Sequence, residues 1–344
     1  MPVCCAGLLP NGNFEQGPDA SQLNGTRVTG QHAIPGWEIS GLVEYIQSGQ
    51  NQQEGMVLAV PEGAHAVRLG NEASIRQQLT GLARRAHYSA EQLNVTVGPE
   101  SGELPIQTVY TSSGWDSYSY VFRARHTTAW LTVHNPGVEE DPACGPLVDA
   151  FAIKTLNPPH HEKGNMLKNG DFEDGPYIAP DNAWGLLVPP MDEDDVSPLP
   201  GWMIMSDTKS VKYVDAAHHK VPHGSYAVEL VAGSECALLQ EAWTVAGRAY
   251  RLSFSVRDAG NGCAQPLAVR ASAGYSSQVV TYESQGTGGS RRGELEFAAI
   301  ADVTRVVFQS ANHYMKPDGT LCGPVVDDVS LVSVHKHEAR LLFM

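Results

Sequence analysis

Two short stretches end in a glutamate, NGNFE at residues 11–15 and NGDFE at residues 169–173. Each is answered about 130 to 160 residues later by an aspartate, in LVDAF (147–151) and VVDDV (325–329). Carboxylates are hard oxygen donors, and Ca²⁺ collects six to eight such oxygens. If the chain ends of each half meet, Glu15 with Asp149 and Glu173 with Asp327 become candidate ligands for a structural calcium. The competing role for the same groups is to cap turns or accept backbone N–H bonds. A second chemistry is offered by SSGWDSYSY (112–120), where Trp115, Tyr118 and Tyr120 sit among serines and glycine. Exposed aromatics stack on the C–H faces of sugar rings while nearby polar groups fix orientation. The alternative is that Trp115 packs in a core.

Other clusters carry less. The acidic run DEDD (192–195) has the charge to steer a basic partner, although such runs are usually solvated loops. The pairs His160–His161 and His218–His219 would point to opposite faces of a strand, so a linker and a loop are their expected settings rather than a metal centre. The motifs G-x-S-x-G and H-E-x-x-H, the Walker loop and the dinucleotide fingerprint are all absent. Paired carboxylates for glycoside hydrolysis need no local signature, and a glycan-active hydrolase therefore stays open as an alternative.

Lys and Arg number 23 against 38 Asp and Glu, a net charge of −15 that repels phosphate backbones and anionic headgroups. Nucleic acid and membrane surfaces are thereby disfavoured as partners. Protonating all 13 histidines in an acidic compartment would bring that charge toward −2. No apolar run reaches the roughly 18 to 20 residues that span a bilayer. The opening MPVCCAG does not read as a secretory leader. Asn24 and Asn94 stand in N-x-Thr sequons, compatible with glycosylation of a secreted chain.

These residues are positioned by a duplication. GLLPNGNFEQGP (7–18) recurs as NMLKNGDFEDGP (165–176), and IPGWEIS (34–40) as LPGWMIM (199–205). VEYI (43–46) recurs as VKYV, VPEGAHAVRLG (60–70) as VPHGSYAVELV, SIRQ (74–77) as CALLQ, and CGPLVDAFAI (144–153) as CGPVVDDVSL. Six collinear matches define two copies, residues 7–154 and 165–334, joined by the linker TLNPPHHEKG (155–164). Trp37 and Trp202, kept in matched Pro-Gly-Trp turns, read as scaffold.

Each copy is dominated by short alternating or β-branched runs such as AVRLG, AWLTVH and TRVVFQS, bounded by Gly, Pro, Asn and Asp. EASIRQQLTGLARRA alone is ambiguous for helix. The class expected is all-β, two tandem jelly-roll sandwiches. Between Tyr88 and Leu93 the first copy is 12 residues shorter than the second, which removes the counterpart of LSFSV and of the loop holding Cys263. The first sandwich is therefore expected to lack one strand. Cys263 and Cys322 are the natural disulfide pair of the second copy. Cys144 is left without a positional partner, to be a free thiol or to bond Cys4 or Cys5, and Cys236 is expected free and buried.

The motifs LLPNGNFEQGP, AIPGWEISG, VPEGAHAVRLGNEASI, HNPGVEEDPACGPLVD, WGLLVPP and LCGPVVDDV resemble the plant cell-wall family of domain of unknown function 642 (BIIDXI-like). The resemblance covers about residues 7 to 334 and implies secretion to the apoplast, two galactose-binding-like domains and no catalytic activity. Related carbohydrate-binding jelly rolls commonly hold a structural calcium near the paired carboxylates. The implied role is to bind wall polysaccharide, or a wall enzyme such as pectin methylesterase, and to influence wall modification. Net charge favours a neutral glucan, methylesterified pectin or a basic esterase over naked polygalacturonate. An extracellular signalling or interaction module is a further alternative. The family usually carries a signal peptide and a cysteine-bearing strand in the first copy, neither of which is found here, and the tail HKHEARLLFM departs from its pattern.

Overall fold

A computed structural model describes residues 8–49, 58–91, 95–97, 100–102, 110–111, 114–137, 145–180, 182–190 and 197–334. Cys4, Cys5, Asn94, Cys144 and the acidic run 192–195 lie outside them. The chain forms two compact units: Met1–Thr108, Ser113–Asn157 and Pro176–Pro198 make the first, and Val109–Ser112, Pro158–Gly175 and Leu199–Met344 the second. The sequence repeat places 176–198 with the second copy, yet this segment packs with the first. Residues 158–164 of the linker belong to the second unit. No helix of the described residues is long and apolar enough to cross a membrane.

In the second unit, Met203–Met205, Ala237–Trp243, Val303–Ser310, Pro266–Ala273 and Ser276–Glu283 form one antiparallel sheet in that order. Val211–Asp215, Tyr226–Glu229, Val325–Ser333, Ala249–Arg257 and Ser290–Ala298 follow one another in the other. Val303–Ser310 alternates buried with exposed or half-buried residues along its length, as a strand with one face on a core should, while the first four residues of Ala237–Trp243 are buried on both faces. Between the sheets, Trp202 lies 5.3 Å from Phe172 and 6.1 Å from Phe308, ring centre to ring centre.

The first unit repeats the plan. Glu38–Ser40, Ser74–Thr80, Thr128–His134, Val95–Val97 and Glu100–Gly102 form one sheet. The stretch ambiguous for helix is thus the strand Ser74–Thr80, in strict inside-outside alternation from Ser74 onward. Leu23–Asn24, Arg27–Val28, Val43–Gln47, His65–Leu69 and Leu147–Val148 form a second sheet, and Ile153–Leu156 and Ser117–Arg123 flank His87–Glu91. Phe14, Trp37 and Phe151 meet at centroid distances of 5.4 to 5.8 Å.

The expectation of a missing strand is corrected by His87–Glu91. It is the counterpart of Ala249–Arg257, shortened from nine residues to five. Tyr88 pairs with Phe122 and Thr155, as Tyr250 pairs with Phe297 and Ser333. What the deletion takes is the distal half, whose equivalents Ser255, Val256 and Arg257 pair with Asp327, Val326 and Val325. The terminal strand of the first copy consequently breaks in two. Leu147–Val148 pairs with His65–Leu69, and Ile153–Leu156 with His87–Glu91, where the second copy has the single strand Val325–Ser333. Cys263 and Cys322 are bonded, across a loop of 59 residues.

Candidate functional site

The duplicated Asn-Gly-x-Phe-Glu turn is built identically in both copies. Asn11 and Asn169 take positive φ, and their side chains donate to the carbonyls of Gln16 and Pro35, and of Asp174 and Pro200. Trp37 Nε1 and Trp202 Nε1 donate to the carbonyls of those asparagines, each at 2.9 Å. A Cβ on Gly12 or Gly170 would fall 2.2 or 2.0 Å from the carbonyl oxygen of Phe151 or Val329, so only glycine lets the turn reach the terminal strand.

The turn of each copy carries Glu15 or Glu173, the terminal segment carries Asp149 or Asp327, and the structure gives all four backbone partners. Glu15 Oε1 accepts the N–H groups of Ala64 and His65 at 2.7 and 2.9 Å, and Glu173 Oε1 those of Ser225 and Tyr226 at 2.6 and 3.1 Å. Asp149 accepts from Glu62 and Ala150, and Asp327 from His223 and Asp328. Burial raises the Glu15 carboxyl, but the two amides and His65 outweigh it and hold it below its ordinary value. Asp149 and Asp327 are fully buried, and this desolvation, only partly offset by their amide partners, pushes each up to about 8. Desolvation also raises Tyr45 to about 12; its hydroxyl donates to the Phe14 carbonyl. Accepting backbone N–H bonds, one of the two roles expected of these groups, is thus seen at all four carboxylates.

For Tyr118 and Tyr120 the aromatic expectation is corrected. The loop read from SSGWDSYSY becomes the strand Ser117–Arg123, buried on both faces up to Phe122. It pairs with His87–Glu91 on one side and, in parallel, with Leu186–Val188 on the other. Tyr118 and Tyr120 are 4% and 3% exposed, beyond the reach of a sugar ring. Trp115 is half-buried, and its Nε1 donates to the Ala59 carbonyl at 3.0 Å. Asn24 is exposed in the hairpin of Leu23–Asn24 with Arg27–Val28, a setting open to modification. Cys236 is buried and unbonded, its thiol pushed up to about 12 by desolvation. Of the histidine pairs, His218 is held by Asp215 at 2.9 Å, whereas His219 is buried.

An accessible aromatic does exist, at a position the sequence reading passed over. Trp243, at the end of Ala237–Trp243, is 77% exposed. It borders an open recess of about 560 Å³ in the second unit, with Met203, itself 46% exposed, Met166, Pro159, Gln240 and Glu241 among the lining residues. The floor is pinned by Gln240, whose Oε1 accepts the Lys168 N–H at 2.7 Å while Nε2 donates to the Lys168 carbonyl at 2.9 Å. Across the strand pair, Glu241 accepts from Arg305 at 2.9 Å, which balances its charge.

The first copy puts different chemistry on the same strands. In place of Met203 and Leu239 stand Glu38 and Arg76, cross-strand partners ion-paired at 2.6 Å, with the guanidinium 4.7 Å from the Trp130 ring centre. The position of Trp243 is taken by Thr80. The two-copy alignment was the available signal: a tryptophan opposite a threonine marks difference where the scaffold tryptophans mark sameness.

The fold defines a protein of two β-sandwiches in tandem, the second carrying an aromatic-rimmed recess. The chain belongs to the DUF642 family of proteins of unknown function, which it matches over residues 7–154 and 165–332. It is 54% identical to the DUF642 L-galactono-1,4-lactone-responsive gene 1 protein of Arabidopsis thaliana, over 96% of this chain and 92% of that one. With the Arabidopsis thaliana protein TEEBE it shares 45% identity over 94% and 90%. Among solved structures it is similar to a tandem pair of family 22 carbohydrate-binding modules of Paenibacillus barcinonensis, with TM-score 0.30 and 13% identity over 97% of this chain and 100% of that one. A family 61 module in complex with β-1,4-galactotriose matches with TM-score 0.30 and 23% identity over 49% and 99%.

Proposed function

We propose that the protein is a secreted, non-catalytic plant cell-wall protein that binds neutral wall polysaccharide at the Trp243 recess. The observation that carries this reading is the exposure of Trp243 beside Met203, at the rim of a recess whose size falls in the range of ligand sites, roughly 300 to 1,000 Å³. An indole held in water offers a flat apolar face, and the C–H face of a pyranose covers it while the exposed Lys168 and His161 border the same recess to meet hydroxyls. A net charge of −15 works against a polyanionic ligand, so a neutral glucan or highly methylesterified pectin fits better. The disulfide suits an oxidising compartment, as secretion requires.

The same charge favours a second association, with a basic wall enzyme such as pectin methylesterase, which would modulate wall modification. Retention of the pure protein on cellulose, xyloglucan and pectins of graded methylesterification, from pH 5 to 7 and with added salt, tests both. Retention on a neutral matrix that survives salt is expected. Retention on none, with no esterase complex, would defeat the reading.

A further inference from the structure

We propose that His160, Asp171 and Glu162 form a binding site for a divalent first-row transition ion of the zinc type, built where the linker folds onto the second sandwich. One ligand atom from each of the three side chains lies within 4.8 Å of the others. His160 Nε2 stands 3.0 Å from Asp171 Oδ1. Zinc binds imidazole nitrogen and carboxylate oxygen at about 2.0 to 2.2 Å, and two such ligands on one ion are roughly 3 Å apart. The nitrogen and oxygen are therefore already spaced as neighbours around a single ion.

The other ring nitrogen supplies an independent argument. His160 Nδ1 lies 2.6 Å from Asp174 Oδ2, and that same oxygen accepts the His160 backbone N–H at 2.8 Å. A carboxylate behind the far nitrogen orients a metal-binding imidazole, and here it presents Nε2 to both Asp171 oxygens, at 3.0 and 3.2 Å, a hydrogen-bonded contact that an ion would replace. The backbone is pinned too, because the His160 carbonyl accepts the Asn169 N–H at 3.0 Å. Glu162 is steadied by Asn165, whose Nδ2 reaches Glu162 Oε2 at 3.3 Å and the Val329 carbonyl at 2.9 Å. Asp171, Glu162 and Asp174 around a single imidazole leave a surplus of negative charge that a dication offsets.

The duplication acts as an internal control. The first-copy counterparts of Asp171 and Asp174 are Asn13 and Gln16, both amides, and no histidine precedes His32. Both carboxylates thus occur only in the copy that has a histidine to face them. This set is distinct from the Glu15, Asp149, Glu173 and Asp327 carboxylates, which serve backbone amides.

The test is calorimetric titration of the full chain with zinc chloride at pH 7, alongside Glu162→Gln, Asp171→Asn and His160→Gln. One saturable site per chain is expected, weakened at least tenfold in each variant. Glu162 is exposed, so E162Q keeps its fold and serves as the decisive variant if another does not. The absence of saturable zinc binding, or binding unchanged in all three variants, overturns the proposal, as does sulfur among the ligands in X-ray absorption.

Discussion

Asp327 accepts the backbone N–H of His223 at 2.9 Å, across 104 positions of sequence, from a side chain with no exposure to solvent. This bond and its twin from Glu62 to Asp149 lock the loop before each Tyr226-type strand to the terminal strand. Their burial has a consequence for stability against pH.

Asp149 and Asp327 are pushed up to about 8 in the folded chain, against about 3.9 unfolded. Between those values the native state holds protons that the unfolded state has released, so stability falls as pH rises. The contribution is full below about pH 4 and is lost on passing pH 8. Scanning calorimetry should show a melting temperature several degrees higher at pH 5 than at pH 8.5. Asp327→Asn should flatten the dependence of the second unit while costing about 1 to 3 kcal/mol, because an amide cannot accept both N–H bonds. A melting temperature that rises steadily from pH 5 to 8.5 would contradict the assignment.

Trp243 and Trp202 should separate binding from folding. Trp243→Ala removes an exposed ring and should abolish retention on a neutral glycan with a melting shift of no more than a degree or two. Trp202→Ala removes a ring that is 1% exposed and hydrogen-bonded to Asn169, and should cost about 3 to 5 kcal/mol. Equal retention by wild type and Trp243→Ala would move the binding site elsewhere.

Added calcium should leave the melting temperature unchanged, since the loop-tying oxygens of Glu15, Asp149, Glu173 and Asp327 are engaged by amides. Glu173→Gln should nonetheless destabilise the second unit by about 1 to 3 kcal/mol through its lost bonds to Ser225 and Tyr226. A rise of several degrees with millimolar calcium would instead assign these carboxylates to an ion.

Reduction of Cys263–Cys322, which closes 59 residues, should cost the second unit about 4 kcal/mol on the chain-entropy model. Cys236 should stay silent to thiol reagents until the chain unfolds, because its buried thiol is held up at about 12. Peptide mapping of the thiols released on unfolding also reports the state of Cys144.

The repeat, the β class and the disulfide pair were legible because they rest on local pattern: alternation along strands, turn residues and matched motifs need only the order of residues. The Asn11 and Asn169 turns belong here too, since their asparagine, glycine and aromatic are contiguous. Sequence also singled out the carboxylates and named two roles for them, but which backbone groups lie opposite them is a tertiary fact. Ala64 lies 49 positions from Glu15, and no local pattern announces that contact. The reach of a strand is equally non-local. Tyr118 and Tyr120 read as a loop until the strands on either side buried them, and the shortened first copy keeps its strand because five residues still find partners at one edge and four of them at the other. Exposure is a property of what packs against a side chain, so only the tertiary structure could show that Trp243 stands in water while Trp37 and Trp202 are buried, and bring His160 of the linker between Asp171 and Asp174.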